Sequence, residues 1–302
     1  MQFERNTINS SSVAGPQLRT HRAADGYEIV YRLWSPVGGN PRAQILMLHG
    51  IQSHGGWYEA SCRQLAEAGY EVWFPDRRGS GRNIIDRGDV QNAERWFDDI
   101  DEFVTLMARD EGLQTDRQTL PKFILGLSWG AKLAVAHAVS RPFGWTGLIL
   151  LYPGIYTRIR IKFWQKWAIN ALCGLGIRKL KISIPLSDSH LFTHTDAARR
   201  QIEQDAWSLH EVTVNFLKAT LQLERLIPAG PRRLRMPILC QLAGRDEIVN
   251  NRRTKSYLQR FQECELTLRE YPDACHTLEF EPNRAEITGE MCDWLDQRCP
   301  PS

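Results

Sequence analysis

The chain has 302 residues, 42% of them hydrophobic, and its 38 Lys and Arg against 35 Asp and Glu leave a net charge of +3. This is enough apolar material for one large α/β domain with an insertion, while the charge is too slight to indicate a nucleic-acid partner and no run approaches the roughly 20 apolar residues of a membrane span. The polar N-terminus shows no apolar signal segment, and seven cysteines without a C-x-x-C pair suggest free thiols in a reducing, cytoplasmic setting.

In chain order, residues 1–20 are polar and read as a flexible arm. A hairpin-like start over 27–33 leads to a buried strand over 43–48 and the loop His49-Gly50-Ile51, where Gly50 lets the backbone turn and His49 holds the loop by hydrogen bonds. A helix over 58–68, a strand over 71–75 and a helix over 98–111 follow. The strand over 122–126 then runs into Gly126-Leu127-Ser128-Trp129-Gly130 and an Ala-rich helix to about 139. A serine between two glycines at a strand-to-helix turn has the pattern of a nucleophile elbow, because the bare glycines let strand and helix pack closely while the serine is pushed out at the sheet edge. The strand over 148–151 ends in Tyr152-Pro153-Gly154, which offers no carboxylate. Strands over 238–242 and 265–271, with helices over 252–261 and 284–296, complete an alternation that implies βαβ units: a mostly parallel sheet with helices on both faces.

An alcohol is a poor nucleophile at neutral pH, so Ser128 needs a histidine to accept its proton, and that histidine needs a carboxylate to fix its tautomer. Behind an elbow of this kind the partners follow in the order Ser, acid, His. His276 is the only histidine beyond position 210 and sits in the loop just past 265–271. Asp246 occupies the loop after 238–242, and elimination favours it because 152–154 holds no acid; its neighbour Glu247 is read as solvated. Separately, Ser128 could be a turn residue, Asp246 a helix N-cap and His276 a loop histidine. Their joint position at the ends of three successive strands selects the chemical reading. Donors for a tetrahedral oxyanion are expected from the N–H groups of Trp129 and Ile51. Cys275 lies beside His276, but with a serine already in the turn it is not read as the nucleophile.

On these residues the chain resembles the α/β-hydrolase superfamily, in particular the group of monoacylglycerol lipases, lysophospholipases and serine aminopeptidases. The resemblance is carried by His49-Gly50-Ile51-Gln52-Ser53-His54, Gly69-Tyr70-Glu71-Val72, Asp76-Arg77-Arg78-Gly79-Ser80-Gly81, the elbow, Gly244-Arg245-Asp246 and His276, and it spans most of the chain. It implies an α/β-hydrolase fold, a catalytic triad Ser128, Asp246, His276, and an oxyanion hole from Ile51 and Trp129. The family usually has Ser where Asn83 stands, an aromatic residue or His where Ser80 stands, and often His where Leu127 stands.

Residues 21–153 and 236–302 are therefore expected to form the core, and 154–235, too long for one crossover, a helical cap over the site. From Ile155 to Ser187 there is no acidic residue, yet seven cations accompany Phe163, Trp164 and Trp167. On one helix, Ile159, Phe163 and Trp167 share a face and Arg158, Lys162 and Lys166 another. The favoured expectation is that the aromatic face packs on the core, with Trp164 and Trp167 contacting substrate; the alternative is peripheral contact with an anionic membrane. The whole reads as a serine hydrolase of carboxylic esters, such as mono- or lysoacyl lipids or medium-chain esters, needing no metal or organic cofactor. Amidase, thioesterase or acyltransferase chemistry would use the same parts, and a receptor-like protein with little turnover the same scaffold.

Overall fold

The structure, a computed structural model, describes residues 15–37, 40–109, 119–141 and 143–299. The core strands are β1 (Gln17–Arg22), β2 (Glu28–Trp34), β3 (Ala43–Leu48), β4 (Tyr70–Pro75), β5 (Lys122–Leu127) and β6 (Gly147–Leu151), joined through α1 (Glu59–Glu67), α2 (Ala93–Arg109) and α3 (Trp129–Ser140). An insertion then carries α4 (Phe163–Gly174), β7 (Lys181–Ser183), α5 (Asp196–Gln204), β8 (Glu211–Thr213), α6 (Val214–Leu226) and α7 (Gly230–Arg233). The core resumes with β9 (Ile238–Ala243), α8 (Asn251–Leu258), β10 (Leu266–Tyr271) and α9 (Arg284–Asp296).

Eight described strands form one sheet in the order β1-β2-β4-β3-β5-β6-β9-β10. β2 runs antiparallel to both neighbours, and the remaining pairs are parallel. Strands β3, β4, β6 and β9 are buried along their whole length, as parallel strands covered on both faces must be. Their alternation sorts the core: Leu46, Leu48 and Trp73 face α2 and α3 with Trp96, Ile100, Phe103 and Leu133, whereas Ile45, Met47, Val72 and Phe74 face α1 and α9 with Leu65, Met291 and Leu295. Parallel register also aligns strand ends, placing Leu48 beside Gly126, Leu127 beside Leu151, and Tyr271 beside Ala243. The loops carrying Gly50, Ser128, Asp246 and His276 thus leave the sheet at one edge.

The elements depart from the sequence expectation in three places. The polar arm expected over residues 1–20 ends earlier, because Gln17–Thr20 pair with β2 (Gln17 opposite Leu33). This edge strand is polar and mostly exposed, so backbone pairing rather than an apolar pattern defines it; residues 1–14 lie outside the described residues. Helix α2 begins at Ala93 rather than 98 because its charged first turns are tied down, Arg95 by Asp99 and Glu102, and Glu94 and Asp98 by Arg141; the expected end at Glu111 is also outside them. Finally, residues before Phe163 are not helical. Arg158 N–H donates to Ile248 O, Asn250 N–H to Tyr156 O, and Thr157 bridges Val249, so the segment is held extended against the chain after β9. The stripe Ile159–Phe163–Trp167 therefore does not exist. Helix α4 turns Ile169 and Cys173 inward and leaves Phe163, Trp164 and Trp167 88%, 62% and 72% exposed, the reverse of the expected aromatic packing.

The insertion is not a loose appendage. Phe216 of α6 stacks on Trp129 at 5.2 Å and meets Trp96 edge-on at 5.1 Å, and Lys132 of α3 pairs with Glu224 of α6 at 2.8 Å. With α6 on one side and the sheet on the other, α3 is buried from Trp129 to Val139 and has no polar face.

Candidate active site

Ser128 has φ +49° and ψ −117°, a conformation that costs a non-glycine residue about 1–3 kcal/mol and persists only where its surroundings enforce it. They do so here by close packing. A Cβ on Gly126 would lie 2.5 Å from Ala131 Cα, and one on Gly130 would lie 2.1 Å from Leu48 O. Hydrogen bonds from Ser128 N–H to Leu151 O (3.0 Å) and from Gly154 N–H to Ser128 O (2.8 Å) clamp the turn from the β6 side.

The serine hydroxyl lies 2.9 Å from His276 Nε2, and His276 Nδ1 lies 2.7 Å from Asp246 Oδ2. The other carboxylate oxygen of Asp246 accepts from the N–H groups of Ile248 (2.8 Å) and Val249 (2.7 Å), so Asp246 is oriented from two sides. Both side chains are buried, 0% and 2% exposed, whereas Ser128 is partly open to solvent. Glu247 is exposed and has no ion pair among the described residues. Tyr152, at φ +36°, packs its ring edge-on to His276 at 4.8 Å, and Phe192 from the insertion does so at 6.0 Å. Cys275 is buried, and burial raises its thiol, which leaves it a poor nucleophile.

Trp129 is the first residue of α3, where a helix leaves its N–H without an internal partner. Among the described residues, neither its N–H nor that of Ile51 donates to another group. Gly50 lies against the serine, for a Cβ there would be 3.4 Å from Ser128 Cβ. His49 holds this loop as expected: Arg77 N–H donates to its Nε2 at 2.7 Å, leaving Nδ1 to donate to Gly50 O at 2.8 Å. Burial, reinforced by Arg77, holds its pKa well below the ordinary histidine value, and the ring is neutral.

Arg77 is a participant that sequence reasoning missed. Its guanidinium donates to Gly50 O and Ile51 O, both at 3.1 Å, and lies 4.6 Å over the Trp129 ring. One side chain thus fixes the carbonyls of Gly50 and Ile51 and packs on the Trp129 ring. It is buried, which lowers its pKa to about 9. The only signal was its place in Asp76-Arg77-Arg78-Gly79, directly after β4. In the same turn Asn83 ties Asp76 O (2.5 Å) to Val30 N–H (2.9 Å), filling structurally the place where the family usually has Ser. A second missed group is Asp205. It accepts from His54 Nε2 (2.9 Å) and Trp57 Nε1 (2.6 Å), while Leu209 N–H donates to Gln52 O, tying the insertion to the loop that carries Ile51. Trp164 and Trp167, by contrast, stand on the outward face of α4, and the structure does not bring them to the elbow.

Three residues after His276, Glu279 accepts from Ser61 N–H (3.2 Å) and from the Ser61 hydroxyl. Burial pushes its carboxyl up to about 7 from an ordinary 4.5. The folded protein therefore keeps a proton that the unfolded chain releases, and this contribution to stability is full below about pH 4.5 and lost as pH rises through about 7. Glu279→Gln is expected to flatten the fall in stability between pH 5 and pH 7. Urea midpoints at both pH values measure this, and an unchanged difference between them would refute the assignment.

Sheet order, elbow and Ser–His–Asp chain together define an α/β-hydrolase-fold serine hydrolase. The family described as serine aminopeptidase, S33, matches residues 39–283, and the chain belongs to that family. It is 25% identical over 289 residues to human monoglyceride lipase, covering 91% of this chain and 89% of the relative. It is 22% identical to monoacylglycerol lipase of Mycolicibacterium smegmatis (89% and 93% covered), and 24% identical to phospholipase YtpA of Bacillus subtilis (88% and 99%). Among solved structures, a soluble variant of monoglyceride lipase from Saccharomyces cerevisiae in complex with a substrate analog superposes with a TM-score of 0.83 at 18% identity, over 97% of this chain and 99% of that one.

Proposed function

We propose that Ser128, His276 and Asp246 are a catalytic triad that hydrolyses the carboxylic ester of mono- or lysoacyl lipids or similar medium-chain esters. The observation that carries this reading is the unbroken hydrogen-bond chain from the strained elbow serine to a buried, doubly anchored aspartate, in a chain whose relatives include lipases acting on monoglycerides. Ser128 Oγ attacks the ester carbonyl as His276 Nε2 takes its proton; the Ile51 and Trp129 N–H groups hold the oxyanion; the alcohol departs with the proton from His276. Water then loses a proton to His276 and attacks the acyl-enzyme, releasing the fatty acid and restoring Ser128. The insertion, expected over 154–235, serves as a cap that steadies His276 through Phe192 and the oxyanion loop through Asp205. The exposed Phe163, Trp164 and Trp167 of α4, flanked by Arg160, Lys162 and Lys166, suit peripheral contact with an anionic membrane, from which such a substrate comes.

The test is labelling by a fluorophosphonate followed by turnover of p-nitrophenyl acetate, p-nitrophenyl octanoate, monooctanoylglycerol and an aminoacyl p-nitroanilide. Labelling with preference for the octanoyl esters supports the reading. Cleavage of the anilide alone would assign an aminopeptidase instead.

A further inference from the structure

The non-helical run 155–162 and the first residue of α4 border a cleft of about 740 Å³ shared with the end of α6 and the start of α8. Five cationic side chains line it, Arg158, Arg160, Lys162, Lys166 and Arg253, against a single carboxylate, Glu224. That carboxylate is already engaged by Lys132 at 2.8 Å and Lys166 at 3.5 Å. Arg158, Arg160, Lys162 and Arg253 have no acidic partner among the described residues, whereas Arg78, Arg95 and Arg141 elsewhere each hold two or more carboxylates. The helix geometry adds to the imbalance. The N-terminus of α4 opens at the cleft through Lys162 and Phe163, and a helix N-terminus is itself partially positive; the Gln165 side chain caps it by accepting from Lys162 N–H at 2.7 Å. Its first turn has no acidic residue. Cations gathered there are of the wrong sign for the helix unless an outside anion sits among them.

Contacts hold two of these five cations, one of them against the aspartate of the triad. Arg158 Nε donates to Asp246 O at 3.2 Å, so its remaining guanidinium nitrogens are free to face the cleft, and Arg253 is held over the Tyr156 ring at 4.7 Å. Ile155, one of the residues lining the cleft, directly follows Gly154, whose N–H bonds to Ser128 O. Ile227 and Pro228 supply an apolar wall and the exposed Phe163 an apolar rim. A guanidinium pair with ammonium groups around it suits a phosphate, which guanidinium binds through paired N–H donors, and the apolar wall and rim suit a glycerolipid carrying it.

We infer that this cleft binds the headgroup phosphate of a lysophospholipid whose acyl ester is the substrate of Ser128. The substrate half of this inference rests on the function proposed above; the phosphate-binding half does not. The probes are glycerol 3-phosphate and inorganic phosphate, titrated against the full chain by ³¹P NMR, and octanoyl lysophosphatidylglycerol and monooctanoylglycerol, both below their micelle concentrations. Glycerol 3-phosphate is expected to bind saturably and better than inorganic phosphate. In the variant Arg160→Gln, Lys162→Gln, Arg253→Gln its affinity, and the ratio of kcat/KM for the lysophospholipid over the uncharged ester, are both expected to fall at least about tenfold, the scale of one lost charge-assisted hydrogen bond. Arg160→Lys with Arg253→Lys should recover only part of that ratio, because the charge persists while the paired N–H donors are lost. Inorganic phosphate binding as tightly as glycerol 3-phosphate, with a substrate ratio that does not move, would overturn the lipid assignment in favour of free phosphate. No saturable binding of either anion would overturn the site altogether. If no ester is cleaved, the function proposed above fails, and the NMR titration still decides whether the cleft binds phosphate.

Discussion

Ser128→Ala is expected to abolish fluorophosphonate labelling and to lower ester turnover by about three to six orders of magnitude, the range lost when a triad serine is removed. The reason is chemical rather than structural. In the proposed mechanism the hydroxyl is the nucleophile, while the elbow is held by backbone hydrogen bonds and by the packing of Gly126 and Gly130, none of which involves Oγ. Alanine at φ +49° bears the same strain as serine, so the thermal midpoint should move little. Wild-type turnover in the variant would end the mechanistic assignment outright.

Asp246→Asn is expected to lower turnover by roughly four orders of magnitude. The amide can keep its carbonyl oxygen on the Ile248 and Val249 N–H groups, and it then presents NH₂ to His276 Nδ1. That nitrogen must accept instead of donate, the proton moves to Nε2, and the ring can no longer take one from Ser128. Glu247→Gln, whose side chain is exposed, should leave turnover within twofold or so, the ordinary scatter of surface substitutions. The reverse outcome for the two variants would transfer the role to Glu247. A useful companion measurement is the pH profile of any residual activity in Asp246→Asn.

The parallel core was legible because its strands are continuous apolar runs whose ends carry the glycines, the serine and the acid; β3 and α9 fall on the residues read from sequence. What was hidden was long-range pairing. Polar Gln17–Arg22 becomes a strand only because β2 offers an edge, and 155–158 is extended only because the chain after β9 pairs with it, although its spacing suits a helix. The site follows the same division. The positions of Ser128, Asp246 and His276 follow from strand ends in chain order, and the structure brings them together. The contributions of Arg77 and Asp205 depend on loops distant in sequence converging on His49 to Trp57, and no local pattern marks them. Trp164 and Trp167 were misplaced for a third reason: helical spacing tells which residues share a face, but not which face meets the core.

The aromatic stack of Phe216 on Trp129 bears on how this chain could be re-engineered. Because α6 shares the core packing of the nucleophile helix, the boundary between scaffold and exchangeable module does not fall at the ends of the insertion. It falls inside it, between the segment reaching from α4 to β7, which rests on the rest of the chain through a small satellite cluster around Ile169, Cys173, Val214 and Leu221, and α6, which underlies the elbow. A chimaera that replaces the first segment alone would spare the foundation of the elbow. One cut at both ends of the stretch between β6 and β9 would remove a wall of the core as well.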